Sequence, residues 1–131
     1  VLQDINLWAV LIAAFSVFAL GGIWYSRMLF GNIWLNAESK ELAAKRHSPG
    51  VFVIAFWLSF AAALVFAIFL GPKPDLIYAL GAGFTIGLSW IATSFGINYL
   101  FAGRSLKLLL IDAGYHLVQF TLYGLILGLW H

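Results

Sequence analysis

The chain contains no cysteine. That absence excludes disulfides, cysteine nucleophiles and thiolate metal centres. Charge is nearly as scarce. Only 9% of the 131 residues are charged, against about 25% in a soluble globular domain. So few ionic groups cannot cover a water-facing surface. Acidic residues number five, and only Asp112 lies deep inside an apolar run. The net charge of +2 is small, and the basic residues flank the apolar runs. That placement speaks for membrane topology and against nucleic-acid binding.

What is present is apolar: 63% of residues are hydrophobic, with a mean hydropathy of +0.99. They fall in four runs, each near the roughly 20 residues that cross a bilayer. The expected fold is all-α: a four-helix antiparallel transmembrane bundle in one integral membrane domain spanning 1–131. The helices are expected over about 7–28, 51–70, 76–101 and 106–130, with one longer helical and interfacial loop after the first. The first run lacks a preceding basic residue and is too long for a signal-peptide core, so it is expected to be retained. Asn6 or Asp4 suits its N-cap.

In the long loop, Leu29, Phe30, Ile33 and Trp34 have the spacing of a short helix lying in the interface. Glu38 to His47 is polar and helix-prone, and Ser48-Pro49-Gly50 is expected to break it. "GPKPD" and "AGRSLK" are tight turns. Short turns make their flanking helices antiparallel neighbours. Arg27, Lys40, Lys45, Arg46, Arg104 and Lys107 lie on one side of this layout, and Lys73 alone on the other. The positive-inside rule then places loops one and three in the cytoplasm and both termini outside.

The fourth run breaks the apolar pattern at "LLIDAGYHLVQF". Asp112, Tyr115, His116, Gln119 and Tyr123 recur at helical spacing and share one face. An ionisable group at that depth is costly in lipid, so the face must turn toward protein or water. Helix three offers hydroxyl and amide partners. One antiparallel register pairs Asn98 with Asp112, Ser94 with His116 and Gly87 with Tyr123. The plainest role for such a seam is to lock helices by interhelical hydrogen bonds, roughly 0.6–2 kcal/mol each. A permeation or proton-handling role for Asp112 and His116 is the sharper alternative. A metal site lacks a third ligand, because His47 and His131 are remote in sequence from His116. An Asp112–His116–Ser94 hydrolase matches a triad in residue type alone. No catalytic residue, metal or other cofactor is assigned.

Two glycine pairs, Gly83 with Gly87 and Gly124 with Gly128, let backbones approach. They fit packing within the unit or dimerisation through helix four. Trp24, Tyr25, Trp34, Tyr99 and Phe101 form one aromatic belt, and Trp8, Tyr78 and Trp130 the other.

"GGIWYSRMLFGNIW" (21–34) and "LFAGRSLKLLLIDAGYHLVQFTLYGLILGLW" (100–130) carry a family resemblance. The chain resembles a bacterial four-helix membrane family catalogued as domain of unknown function 1761. The matching positions are Trp24, Tyr25, Ser26, Phe30, Gly31, Gly114, Tyr115 and His116. The resemblance implies the fold and a bacterial inner-membrane location, and no activity. Its first stretch adds a physical expectation. Trp24, Tyr25 and Ser26 end helix one near the depth of Asp112, where Tyr25 or Ser26 can cap that carboxylate. With Asn98 and Tyr99 they can line a small vestibule. The sequence is therefore expected to encode a structural or accessory subunit, homo-oligomeric or within a larger membrane complex. The alternative is a small-solute or proton carrier using the Asp112–His116 seam, with an intramembrane enzyme more remote.

Overall fold

The computed structural model describes residues 2–26, 29–30 and 49–131. A 3₁₀ turn at Leu2–Asp4 precedes α1 (Leu7–Trp24). Then come α2 (Pro49–Leu70), α3 (Leu76–Ala102) and α4 (Leu106–Leu129). Each of the four is long and apolar enough to cross a membrane.

Local chemistry sets their ends. The Asn6 side chain accepts from the amides of Trp8 and Ala9 at 3.1 and 3.2 Å and caps α1. Asp75 and Ser105 do the same for α3 and α4. The sequence places the end of α1 near Met28, but the helix stops at Trp24. There the Ser26 amide and hydroxyl both bond the Ile23 carbonyl, which tightens the chain into a turn. Helix α2 opens on Pro49 and Gly50, two residues before the expected start at 51. Proline is tolerated in a first turn because its missing N–H would have no partner there. Gly71 (φ 80°), Lys73 (φ 51°) and Gly103 (φ 70°) adopt the left-handed conformation that reverses the chain after α2 and α3. Leu29 and Phe30 lie in a turn. The remaining expectations for the long loop, including Ile33, Trp34, Glu38 to His47 and the basic residues there, lie outside the described residues.

Helix α3 holds a feature the sequence reading did not foresee. Residues Gly87–Ala92 form a π-helical segment between two α-helical halves. Widening the turn loosens backbone carbonyls, and hydroxyls take them up. Thr93 donates to Ser89 O at 2.6 Å, and Ser94 to Trp90 O at 2.6 Å. Hydroxyls bonded back to the preceding turn bend helices.

Helix α4 touches all three others. Ala9, Val10, Ala13 and Val17 of α1, Ala63 and Ala67 of α2, and Tyr123 and Leu127 of α4 form the main core. Phe15 of α1 packs at a tilt on Phe56 of α2, and Phe18 meets Phe52 edge to face. Between α3 and α4 the contact is backbone on backbone. A Cβ on Gly83 would lie 2.1 Å from the Phe120 carbonyl oxygen, and one on Gly124 lies 2.2 Å from that of Ala79. Gly87 sits over Leu117, and Gly128 over Leu76. Residue numbers fall along α3 as they rise along α4, so these two helices run in opposite directions. All four glycines expected to pack helices meet at this one seam, and Gly124 and Gly128 are occupied within the chain.

Candidate functional site

The glycine seam closes only the first half of α3 onto α4. Beyond the π-helical segment the second half of α3 touches α4 far less. The gap is a cleft of about 510 Å³ lined by Tyr25, Phe95, Asn98, Tyr99, Ala102, Arg104, Asp112 and His116. Its size falls within the roughly 300–1,000 Å³ of small-ligand sites.

Asp112 sits at the junction of α1, α3 and α4. The Tyr25 hydroxyl donates to one carboxylate oxygen at 2.5 Å, and the Tyr99 hydroxyl donates to the other. The end of α1 is seated on α4 by further fits. The Trp24 indole N–H donates to Ile111 O at 2.9 Å, and its ring lies over Gly114, where a Cβ would approach it to 3.2 Å. The Tyr115 hydroxyl donates to Val17 O at 3.0 Å beside Gly21, and its ring packs on Tyr25. Phe30 packs on Trp24 at 4.9 Å. The two signature stretches of the sequence thus interlock, aromatic side chain against glycine. Ser26 bonds its own helix and does not cap Asp112. Gly31 lies outside the described residues.

A second network starts at His116. Its Nδ1 is hydrogen-bonded to Gln119 Oε1. The Gln119 amide donates to the Tyr123 hydroxyl at 2.8 Å. That hydroxyl donates to Ser59 O at 3.0 Å and shares a 2.7 Å bond with Ser59 Oγ. The amide nitrogen of Gln119 must donate, so its Oε1 accepts and His116 donates from Nδ1. In the neutral ring this leaves Nε2 as the acceptor available to the cleft that His116 lines. The imidazole is stacked on Phe95 at 4.8 Å and 15°.

The polar face of α4 is therefore shared among three helices. Asp112 turns to α1 and α3, Tyr115 to α1, and Gln119 with Tyr123 to α2. The expected register is not the one observed. Gly87 faces Leu117, not Tyr123, and Ser94 is exposed and bonded to its own helix, away from His116. Helical side chains lean toward their own N-terminus. Tyr99 and Phe95 therefore reach along α3 to meet Asp112 and His116, while the backbones pair elsewhere. Ser59 was an isolated polar residue in α2 with no sequence cue to its partner. Ser94 is brought to neither Asp112 nor His116, so the triad arrangement does not form. Among the described residues no three His, Asp or Glu side chains cluster as metal ligands.

Tyr123 is fully buried and serves three hydrogen bonds. Tyr123→Phe should lower stability by about 2 kcal/mol, because the Gln119 amide and the Ser59 hydroxyl lose their partner. Thermal unfolding in detergent would measure it. A variant as stable as the parent would mean that the network adds nothing to folding.

Fold and cleft together define a class: a small four-helix membrane protein with a glycine-sealed seam and a polar cleft at one end. Family comparison gives the particular assignment. Residues 8–128 match the family described as protein of unknown function (DUF1761), and the chain belongs to it. Comparison with curated proteins and with solved structures gives no match.

Proposed function

We propose that this protein binds a small polar solute from one side of the membrane, as a carrier or permeation protein does. One contrast carries the reading. The α3–α4 seam is sealed at Gly83, Gly87, Gly124 and Gly128, while its other half opens into a cleft that reaches Asp112 and His116. A seam whose only task was to lock helices would gain from closing along its whole length. Ionisable side chains at that depth are tolerated where they face protein or water.

We further propose that the protein sits in a bacterial cytoplasmic membrane with both termini outside, so that the cleft opens to the cytoplasm. The chain has no native cysteine, so single-cysteine variants need no background changes. In lipid vesicles, Asn98→Cys should react with a water-soluble methanethiosulfonate at least about tenfold faster than Leu110→Cys, which lies on the exposed apolar face of α4. Equal rates would mean a cleft without water and would sink the reading. In intact cells, Lys73→Cys should be labelled by an impermeant reagent and Ala102→Cys should not. The reverse pattern would invert the topology.

A second reading, an accessory subunit or homo-oligomer, draws on a different observation. Gly81, Thr85 and Ser89 fall on an outward, exposed face of α3. Small and hydroxyl residues on a membrane helix suit close packing by another helix. Cross-linking from Thr85→Cys in native membranes would show whether a neighbour covers it.

A further inference from the structure

We infer that α3 is a two-state helix: its second half turns about its own axis at the π-helical segment, exchanging Phe95 and Tyr99 for Ser94 and Asn98 against α4. The phase of the helix carries this. Gly83 and Gly87 lie directly on the backbone of α4. Tyr99 follows Gly87 by twelve residues. An α-helix turns about 100° per residue, so a plain helix would carry Tyr99 about 120° away from the Gly87 side. Instead Tyr99 is buried and donates to Asp112, and Phe95 stacks on His116. The π turn at Gly87–Ala92 closes over one residue more than an α turn, which takes up that rotation. Without the extra residue stored there, Ser94 and Asn98 would fall within about 20° of Gly87. In the structure both are exposed.

Releasing the stored residue also moves the second half about 1.5 Å toward the following loop. That brings Ser94 to the height of Phe95, and Asn98 to the height of Tyr99. A hydroxyl then replaces the ring beside His116, and an amide replaces the phenol beside Asp112. The displaced side chains suit their new places. Phe95 is apolar, and Tyr99 lies near the helix end, where phenols sit in the membrane interface. The second half has room to turn. A Cβ on Gly96 meets nothing within 4 Å, so no backbone seam fixes this half as Gly83 fixes the first. Gly103, left-handed at φ 70° and likewise open, can take up the shift. Three contacts hold the observed state: the Tyr99–Asp112 bond, the Phe95–His116 stack, and Arg104 over the Tyr99 ring at 5.4 Å. Packed elements move between discrete arrangements of this kind. The switch itself needs no solute. Its consequence rests on the cleft reading above: rings cover the floor at Asp112 and His116 in one state, and short side chains in the other.

The test is disulfide formation in the full chain in lipid vesicles, with molecular iodine as an oxidant that enters the bilayer. Phe95→Cys with His116→Cys reports the observed state, and Ser94→Cys with His116→Cys the turned one. Both pairs should form. Deleting Leu88, an exposed residue of the π turn, removes the stored residue and leaves Phe95 and Tyr99 on α4 in a plain α-helix. It should slow the Ser94 pair at least about tenfold and leave the Phe95 pair unchanged. Thermal unfolding checks that the deletion is folded. Tyr99→Phe removes one bond of the observed state and should speed the Ser94 pair about fivefold. In the parent, formation of the Phe95 pair alone, or of neither pair, would overturn the inference. So would a Ser94 pair that forms as fast after the deletion. If the deletion unfolds the protein, Tyr99→Phe decides, and an unchanged Ser94 pair overturns the inference. None of these outcomes touches the cleft reading, which stands or falls with water-soluble labelling of Asn98→Cys.

Discussion

Gly83→Ala should be the most damaging single methyl that can be added to this protein. The new Cβ would lie 2.1 Å from the Phe120 carbonyl oxygen and 3.2 Å from the Thr121 Cα. Both are backbone atoms, which no side-chain rotation can move aside. Either α3 lifts from α4 or the helices slide, and the whole seam loses van der Waals contact. Overpacking typically costs about 1–3 kcal/mol and occasionally more. A backbone clash this close belongs at or above the top of that range. Gly124→Ala should behave alike, with its Cβ 2.2 Å from Ala79 O. Gly81 and Gly96 are controls in the same helix, because a Cβ there meets nothing within 4 Å. Their alanine variants should be unchanged or up to about 1 kcal/mol more stable, from helix propensity alone. Thermal unfolding of the four variants in one detergent decides the matter. If Gly83→Ala and Gly96→Ala unfold together, the seam is not held by backbone contact.

Asp112→Ala should have the second largest effect. The carboxylate ties the end of α1 to α3 through Tyr25 and Tyr99, 87 and 13 residues away in sequence. Without it, two phenol donors lose their acceptor in a half-buried site. An unsatisfied buried donor costs about 1–3 kcal/mol. Water in the cleft can serve part of that need, so about 2–4 kcal/mol in total is expected. Asp112→Asn retains an acceptor and should lose no more than about half as much. Equal stability of the two variants would show that the phenols turn to water and that the junction does not hold α1 in place.

The main outline was legible in the sequence for a simple reason. Crossing a bilayer needs a fixed length of apolar residues, and four runs of that length are separated by turn-forming Gly, Pro and charged residues. The glycine pairs were equally readable, since four-residue spacing puts both members on one face wherever the helix goes. So was the grouping of Asp112, Tyr115, His116, Gln119 and Tyr123, for the same reason. The proximity of Tyr25 to Asp112 followed from depth, because α1 ends where α4 begins.

Partners were not legible. The α1 and α2 sequences are apolar all round, so no amphipathic stripe announces which side faces α4. Nothing in "FWLSFAA" marks Ser59 as the residue that would hold Tyr123. The register of α3 on α4 failed because a helix face repeats every turn. Sliding one helix by a turn keeps the same residues facing and changes every pair. Polar matching chose one register, whereas backbone contact at Gly83 and Gly124 chose another. The π-helical segment left only Thr93 and Ser94 as a trace, and hydroxyls bonded to the preceding turn occur in ordinary helices too.

The sequence by itself determined the class of this protein: a helical membrane domain with one ionisable face and two glycine-lined surfaces. It could do so because span length and helical periodicity are local properties. Only the tertiary structure decided that the glycines pair with each other, that the polar face is divided among three helices, and that a cleft opens at Asp112 and His116. Those outcomes depend on which helix approaches which, at what height and tilt. Close backbone packing at one end and a widened turn in α3 settled that geometry, and neither is written in any single stretch of the chain.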